Sequence, residues 1–175
     1  ISVLMVKKAT LLIRNDAQVV TMQGPVPRLG PDLNEIGLIA NGAVAVAGDE
    51  ILAVGPCDEV EGKAPLAEGC TVIDVKGRVV TPGLIDPHTH PVFAKTREQE
   101  FEMRTLGKTY MEIAQAGGGI RNSVRALRET PAAALKERSL RRLDRLLAHG
   151  VTTIEAKSGY GLSTESELKM LQVIQ

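Results

Sequence analysis

Two of the three histidines stand one residue apart, as His88-Thr89-His90. Along an extended backbone, residues i and i+2 project to the same face. Two imidazoles at this spacing can therefore grip one metal ion from the end of a strand. Neutral imidazole suits zinc and divalent iron, with zinc–nitrogen distances of about 2.0–2.1 Å. A chance pair of histidines on an exposed loop is the competing reading, and these two residues alone do not separate the two. Asp86 shares their face if the strand stays extended, where it can orient a ligand or be an ordinary hydrogen-bonded or helix-capping aspartate. Glu155 and Lys157 also share a face, and an ion pair between them is the predicted role of the lysine. Gly117-Gly118-Gly119 lacks the Gly-Lys-Ser/Thr ending of a phosphate cradle and follows no strand, so it reads as a loop or a helix break. His149 falls at a predicted helix C-terminus, where partial positive charge is welcome. Cys57 and Cys70 match no metal or redox spacing.

The elements that must position these residues divide into two grammars. Residues 9–81 read as β. Thr10–Arg14 and Gln18–Met22 are apolar runs separated by the turn pair Asn15-Asp16. Gly24 to Glu35 reads as a loop. Gly42–Ala47 and Ile51–Gly55, joined by Gly48-Asp49-Glu50, form a hairpin signal. Cys57 to Gly69 reads as polar connection, and Thr71–Val75 and Arg78–Thr81 flank the turn Lys76-Gly77 as another strand pair. The predicted first half is a small antiparallel β-module.

After Pro82-Gly83 the pattern becomes strand, helix, strand, helix. Leu84-Ile85-Asp86 is a short strand running into the histidine pair. Helical periodicity covers about 109–116 and 120–129. Thr130-Pro131 opens a longer helix with Thr130 as N-cap, and Leu135, Leu143, Leu146 and Leu147 line one stripe before Gly150. Val151–Ala156 is the next strand, and Thr164-Glu165-Ser166-Glu167 fits a capping box for a final helix. Strands alternating with helices imply a parallel sheet with crossover helices. A (β/α)8 barrel takes roughly 250 residues, so the expectation is the opening of a longer barrel, with residues 1–81 as one domain and 82–175 as the other.

The 175 residues carry 21 Lys+Arg and 21 Asp+Glu. Zero net charge argues against nucleic-acid or membrane-surface binding, which needs basic excess or a basic patch. Hydrophobic content of 43% with 24% charged residues is that of a globular protein. No apolar run approaches the roughly 20 residues of a membrane span. The opening Ile1–Lys8 is too short for a signal peptide's apolar region, and its charges follow that region; a reducing cytoplasm is the expected setting.

The run Val79–Pro87 leading into His88-Thr89-His90 resembles the signature of the amidohydrolase superfamily. That resemblance implies a metal at the C-terminal mouth of a (β/α)8 TIM barrel, preceded by part of a composite β-sandwich. Further along, Arg97–Glu102, Thr109–Ala114, Ala116–Ile120 and Glu155–Leu162, with its Ser-Gly-Tyr-Gly-Leu, resemble the imidazolonepropionase family in order and spacing. The likeness covers about residues 9–175.

The resemblance implies that His88 and His90 ligate one divalent ion, zinc or iron. It also implies that Arg97, seven positions after His90, and Tyr160 bind the substrate. A guanidinium fork suits a carboxylate or carbonyl oxygen; an ion pair of Arg97 with Glu98 or Glu100, and a tyrosine capping a loop, are the structural alternatives. Tyr110 could reach the same pocket or simply pack. The implied activity is hydrolysis of the cyclic amide of 4-imidazolone-5-propanoate to N-formimidoyl-L-glutamate in histidine degradation, by a cytoplasmic homodimer. Further ligands, a His and an Asp, and the general base would come from later strands, so these residues alone are expected to be inactive. Another cyclic-amide hydrolase, a deaminase, or a non-catalytic partner completing a barrel in trans are the remaining alternatives.

Overall fold

The computed structural model describes residues 7–175, with backbone only at 15–17. The opening apolar run, read above as too short for a leader, lies outside the described residues up to Val6. The chain divides into two compact units, Ile1–Pro82 and Gly83–Gln175.

The first unit is one five-stranded sheet. Its strands are β1 (Ala9–Val20), β2 (Leu38–Ala47), β3 (Glu50–Pro56), β4 (Leu66–Asp74) and β5 (Val79–Val80). The order is β3-β2-β1-β4, with β5 also beside β1. The hairpin β2–β3 forms as its turn signal predicts, antiparallel from Gly42↔Pro56 to Ala47↔Glu50. Two expectations need correction. Asn15-Asp16 does not turn the chain: β1 runs straight through, and register shifts on either side of Ala17 mark an irregularity against β2. Continuous pairing along β1 outweighs the local turn preference, and extra residues are taken up as a bulge. Nor is the module purely antiparallel. The chain does turn at Lys76-Gly77, with Arg78 N–H donating to Val75 O at 3.1 Å. Yet β4 and β5 do not pair with each other; both lie parallel to β1, β4 along Ala9–Arg14 and β5 along Gln18-Val19.

Part of the predicted polar connection is a short helix, α1 (Cys57–Lys63), with Asp58 and Glu59 in its first turn and Lys63 in its last. These charges complement the helix dipole. Its Val60 is buried against Leu12, Ala43 and Ala45, the centre of this unit's core.

In the second unit, β6 (Leu84–Thr89) and β7 (Val151–Ala156) pair in parallel from Leu84↔Val151 to Thr89↔Ala156, with register shifts after Leu84 and between Asp86 and Thr89. The connection between them carries α2 (Glu98–Thr105), α3 (Tyr110–Gln115), α4 (Ile120–Glu129) and α5 (Ala132–Ala148), and α6 (Thr164–Ile174) follows β7. A full capping box starts α3, Thr109 and Glu112 each bonding the other's backbone N–H. Thr130 caps the end of α4 instead of the start of α5: its hydroxyl donates to Ala126 O at 2.7 Å, and Pro131 takes the N-cap position. Likewise Ser163, not Thr164, is the N-cap of α6, accepting from Ser166 N–H. The core gathers Leu127 of α4, Leu135 of α5 and Met170 of α6 with Val92 and Ala94, and Tyr160 packs against it. Leu147, expected on the apolar stripe of α5, is 61% exposed.

Candidate active site

The histidine pair sits where β6 ends. Asp86 Oδ1 accepts from the His88 N–H at 3.0 Å, and Lys157 N–H donates to Thr89 O at 2.8 Å, which carries the pairing with β6 one residue past the end of β7. The two imidazoles lie with ring centroids 5.5 Å apart and planes at 72°. His88 is exposed and His90 half-buried. His90 Nδ1 is buried without a hydrogen-bond partner among the described residues. A buried polar atom left unpaired is costly, which singles this nitrogen out among the site's polar atoms.

Beyond His90 the chain is pinned from below by α5. Ser139 Oγ and Arg142 Nη1 donate to Pro91 O at 3.2 and 3.0 Å, Arg138 donates to Ala94 O, and Arg142 lies 3.4 Å over the Phe93 ring. With Val92 and Ala94 buried, the segment has little freedom before Arg97.

Arg97 is paired with Glu100 through both Nε, at 2.7 Å, and Nη2. Glu100 Oε1 also accepts from the Gly119 N–H at 2.9 Å, tying in the glycine run. The hydrogen bond with Glu100 raises the Arg97 pKa above its ordinary value. The Arg97 hydrogen bond, against opposition from burial, holds the Glu100 carboxyl below its usual range. The ion pair named above as the structural alternative is therefore present. It does not remove Arg97 from the site, because Arg97 lines a pocket of about 270 Å³ together with His90, Phe93, Ser123 and Tyr160.

Tyr160 enters from the loop after β7, its ring centroid 5.2 Å from that of His90. The neighbouring Gly159 makes this approach possible: its φ is 139°, and a Cβ there would stand 3.0 Å from His90 Cε1. Tyr110, 60% exposed, instead lines an adjoining cavity of about 230 Å³ with Arg97, Glu100 and Phe101.

The expected pair of Lys157 with Glu155 forms at 2.7 Å. Glu155 is held below its ordinary pKa first by this hydrogen bond and, more weakly, by His88. His88 thus has an acidic neighbour across the sheet, which the β6–β7 register explains and the sequence did not signal. Phe93 and Ser123 were also missed; Phe93 lies three residues after His90, and no pattern marks Ser123. Among the described residues, no three His, Cys, Asp or Glu side chains converge as a cation site. The same residues include no helix long and apolar enough to cross a membrane.

No family profile matches the chain. It is 52% identical over 167 residues to the imidazolonepropionase of Geobacillus kaustophilus, an alignment covering 93% of this chain and 39% of that protein. Over the stretch it spans, the chain is similar to imidazolonepropionases at about half of its positions. It spans about two fifths of the length of the curated relatives it matches. Among solved structures, E. coli guanine deaminase superposes with a TM-score of 0.57 at 18% identity, covering 93% of this chain and 33% of that one. An amidohydrolase does so with 0.51 at 21% identity, covering 90% and 29%. The fold is thus that of the amidohydrolases: a β-unit followed by the opening β/α units of a (β/α)8 barrel.

Proposed function

We propose that this chain, within a protein of its relatives' length, forms part of a metal-dependent hydrolase. The reaction opens the cyclic amide of 4-imidazolone-5-propanoate to give N-formimidoyl-L-glutamate in histidine degradation. The observation that carries the reading is the convergence of His90, Arg97 and Tyr160 on one pocket at the C-terminal end of β6. The relatives' name supports the substrate.

In this reading His88 and His90 hold one divalent ion, zinc or iron. The donor chemistry fits: two imidazoles from one strand end, one with a buried nitrogen unpaired among the described residues. When bound, such an ion polarises a carbonyl and brings the pKa of a water toward neutrality. Two imidazoles make half of a four-ligand set, so a His and an Asp, with the general base, belong to the remainder of the relatives' length.

Arg97 anchors the substrate's carboxylate or ring carbonyl. Two of its five donors engage Glu100, so the fork is oriented without being exhausted. The Tyr160 hydroxyl donates to or accepts from the ring. Holding both reactants in place can supply about 7–11 kcal/mol of the barrier. Water adds across the ring amide: the C–O bond forms at the carbonyl carbon, the C–N bond breaks, and the nitrogen leaves with a proton.

The first unit is assigned to the N-terminal part of a composite β-sandwich domain, and the family resemblance supports a cytoplasmic homodimer acting on a small molecule. The test is ultraviolet loss of 4-imidazolone-5-propanoate with full-length protein. Turnover that a chelator abolishes and zinc or iron restores is expected, with none from the 175 residues alone. Metal-replete full-length protein that leaves the compound intact would overturn the assignment.

A further inference from the structure

Tyr160 sits between two glycines, so nothing in its immediate sequence fixes where the ring points. The loop is held by two residues that lie outside the pocket. Glu167, in the first turn of α6, turns one carboxylate oxygen to the loop: Oε1 accepts from the N–H of Gly161 at 2.7 Å and of Leu162 at 2.8 Å. Arg128, near the end of α4, holds the carbonyls of the same two residues, Nε to Gly161 O at 2.9 Å and Nη2 to Leu162 O at 3.0 Å. The peptide group joining Gly161 and Leu162 is thus gripped at its oxygen by one side chain and at its nitrogen by the other.

Three further features belong to the same arrangement. A Cβ on Gly161 would stand 2.7 Å from Glu167 N, so only glycine lets the loop come this close to α6. Leu162 adopts a φ of 50°, left-handed and unusual for leucine unless its surroundings enforce it. Lys169 Nζ of α6 donates to the carbonyls of Leu127, Arg128 and Thr130 at 2.8, 3.1 and 3.1 Å, which fastens the two halves of the grip to each other. Burial works against the Glu167 charge. The hydrogen bonds, with Leu162 N–H the strongest and Ser158 and Gly161 next, overcome it and keep the carboxyl below its ordinary pKa.

We infer that Glu167 and Arg128 are positioning residues: together they clamp the Gly161-Leu162 backbone and so aim the Tyr160 ring at His90. The inference deepens the proposed function and rests on it for the role of Tyr160. Neither residue touches the pocket, and each acts through the loop.

The test uses full-length protein with Glu167→Ala, Glu167→Gln, Arg128→Ala and Arg128→Lys, alone and combined with Tyr160→Phe. A displaced ring lowers kcat/KM by roughly 10- to 100-fold, mainly through KM, with the conservative variants intermediate. Adding Tyr160→Phe to Glu167→Ala should then cost little more, because the hydroxyl is already misplaced. A purely structural role would reduce the folded fraction and leave KM of the remaining enzyme unchanged. The His90 Hε1 resonance, within ring-current reach of Tyr160, gives a readout independent of turnover. It should move in Glu167→Ala toward its position in Tyr160→Leu, whether or not the proposed substrate is the right one. An unmoved resonance in folded Glu167→Ala, or KM effects additive with Tyr160→Phe, would overturn the clamp.

Discussion

His90 and Tyr160 face each other with ring centroids 5.2 Å apart and planes inclined at 60°. They follow the C-terminal ends of β6 and β7, His90 directly and Tyr160 from the loop beyond, brought together because those strands pair in parallel. A metal-ligand candidate and a substrate-binding candidate thus share one wall of one pocket.

Gly159 is the spacer in that wall. Gly159→Ala places a methyl 3.0 Å from His90 Cε1 in a backbone conformation that L side chains rarely adopt. Strain of about 1–3 kcal/mol is expected, relieved by swinging the loop away. Thermal melting should show the loss of stability, and steady-state kinetics of the full-length protein a raised KM.

Under the proposed function, replacing either imidazole removes a ligand outright. Outer-shell changes at metal sites cost about 10–100-fold in affinity, so His88→Ala and His90→Ala should each cost at least roughly 100-fold. Elemental analysis after dialysis should find the metal gone while far-ultraviolet circular dichroism stays unchanged. Full metal retention in His90→Ala would remove it from the ligand set.

Acid should loosen α3 in a defined window. Glu112 is pushed down to about 2 by the Thr109 backbone N–H, the Thr109 hydroxyl and Lys108. A depressed folded pKa means its contribution is complete above the ordinary value of 4.5 and is lost as pH falls from there toward 2. Glu112→Gln should therefore melt lower than the unmodified protein at pH 6, and most of the difference should be gone by pH 2. Glu100, also depressed, follows the same sign, so Glu100→Gln should lose its destabilising effect on acidification.

Leu127 is fully buried where α4, α5 and α6 meet. Leu127→Ala should cost about 2–5 kcal/mol by denaturant unfolding. Because Tyr160 packs on the same cluster, the cavity should also weaken substrate binding more than an equally destabilising change in the first unit, such as one at Val60.

Much of this was legible in the sequence. The hairpin at Gly48, the helices near 110 and 120, the Lys157–Glu155 pair and the strands carrying His88 and Glu155 all follow from local pattern. What local pattern could not supply was pairing across distance. Asn15-Asp16 has turn chemistry, but partners on both sides of β1 override it. The capping-box spacing at Thr164 reads as a helix serving its own N-terminus, whereas Glu167 serves the loop before it. The Arg128 contacts join residues more than thirty positions apart and leave no periodic trace.

The pairing of Leu84 with Val151 has a consequence for how the chain acquires its shape. Roughly sixty residues must leave the ribosome after β6 before its partner strand exists. At about 5–20 residues per second that is a delay of roughly 3–12 seconds. During that interval Leu84 and Ile85 lack the strand they pair with. Non-local pairing of this kind is slow in isolation as well. Nascent-chain chaperones therefore have their clearest opportunity on this strand, before the next one is made.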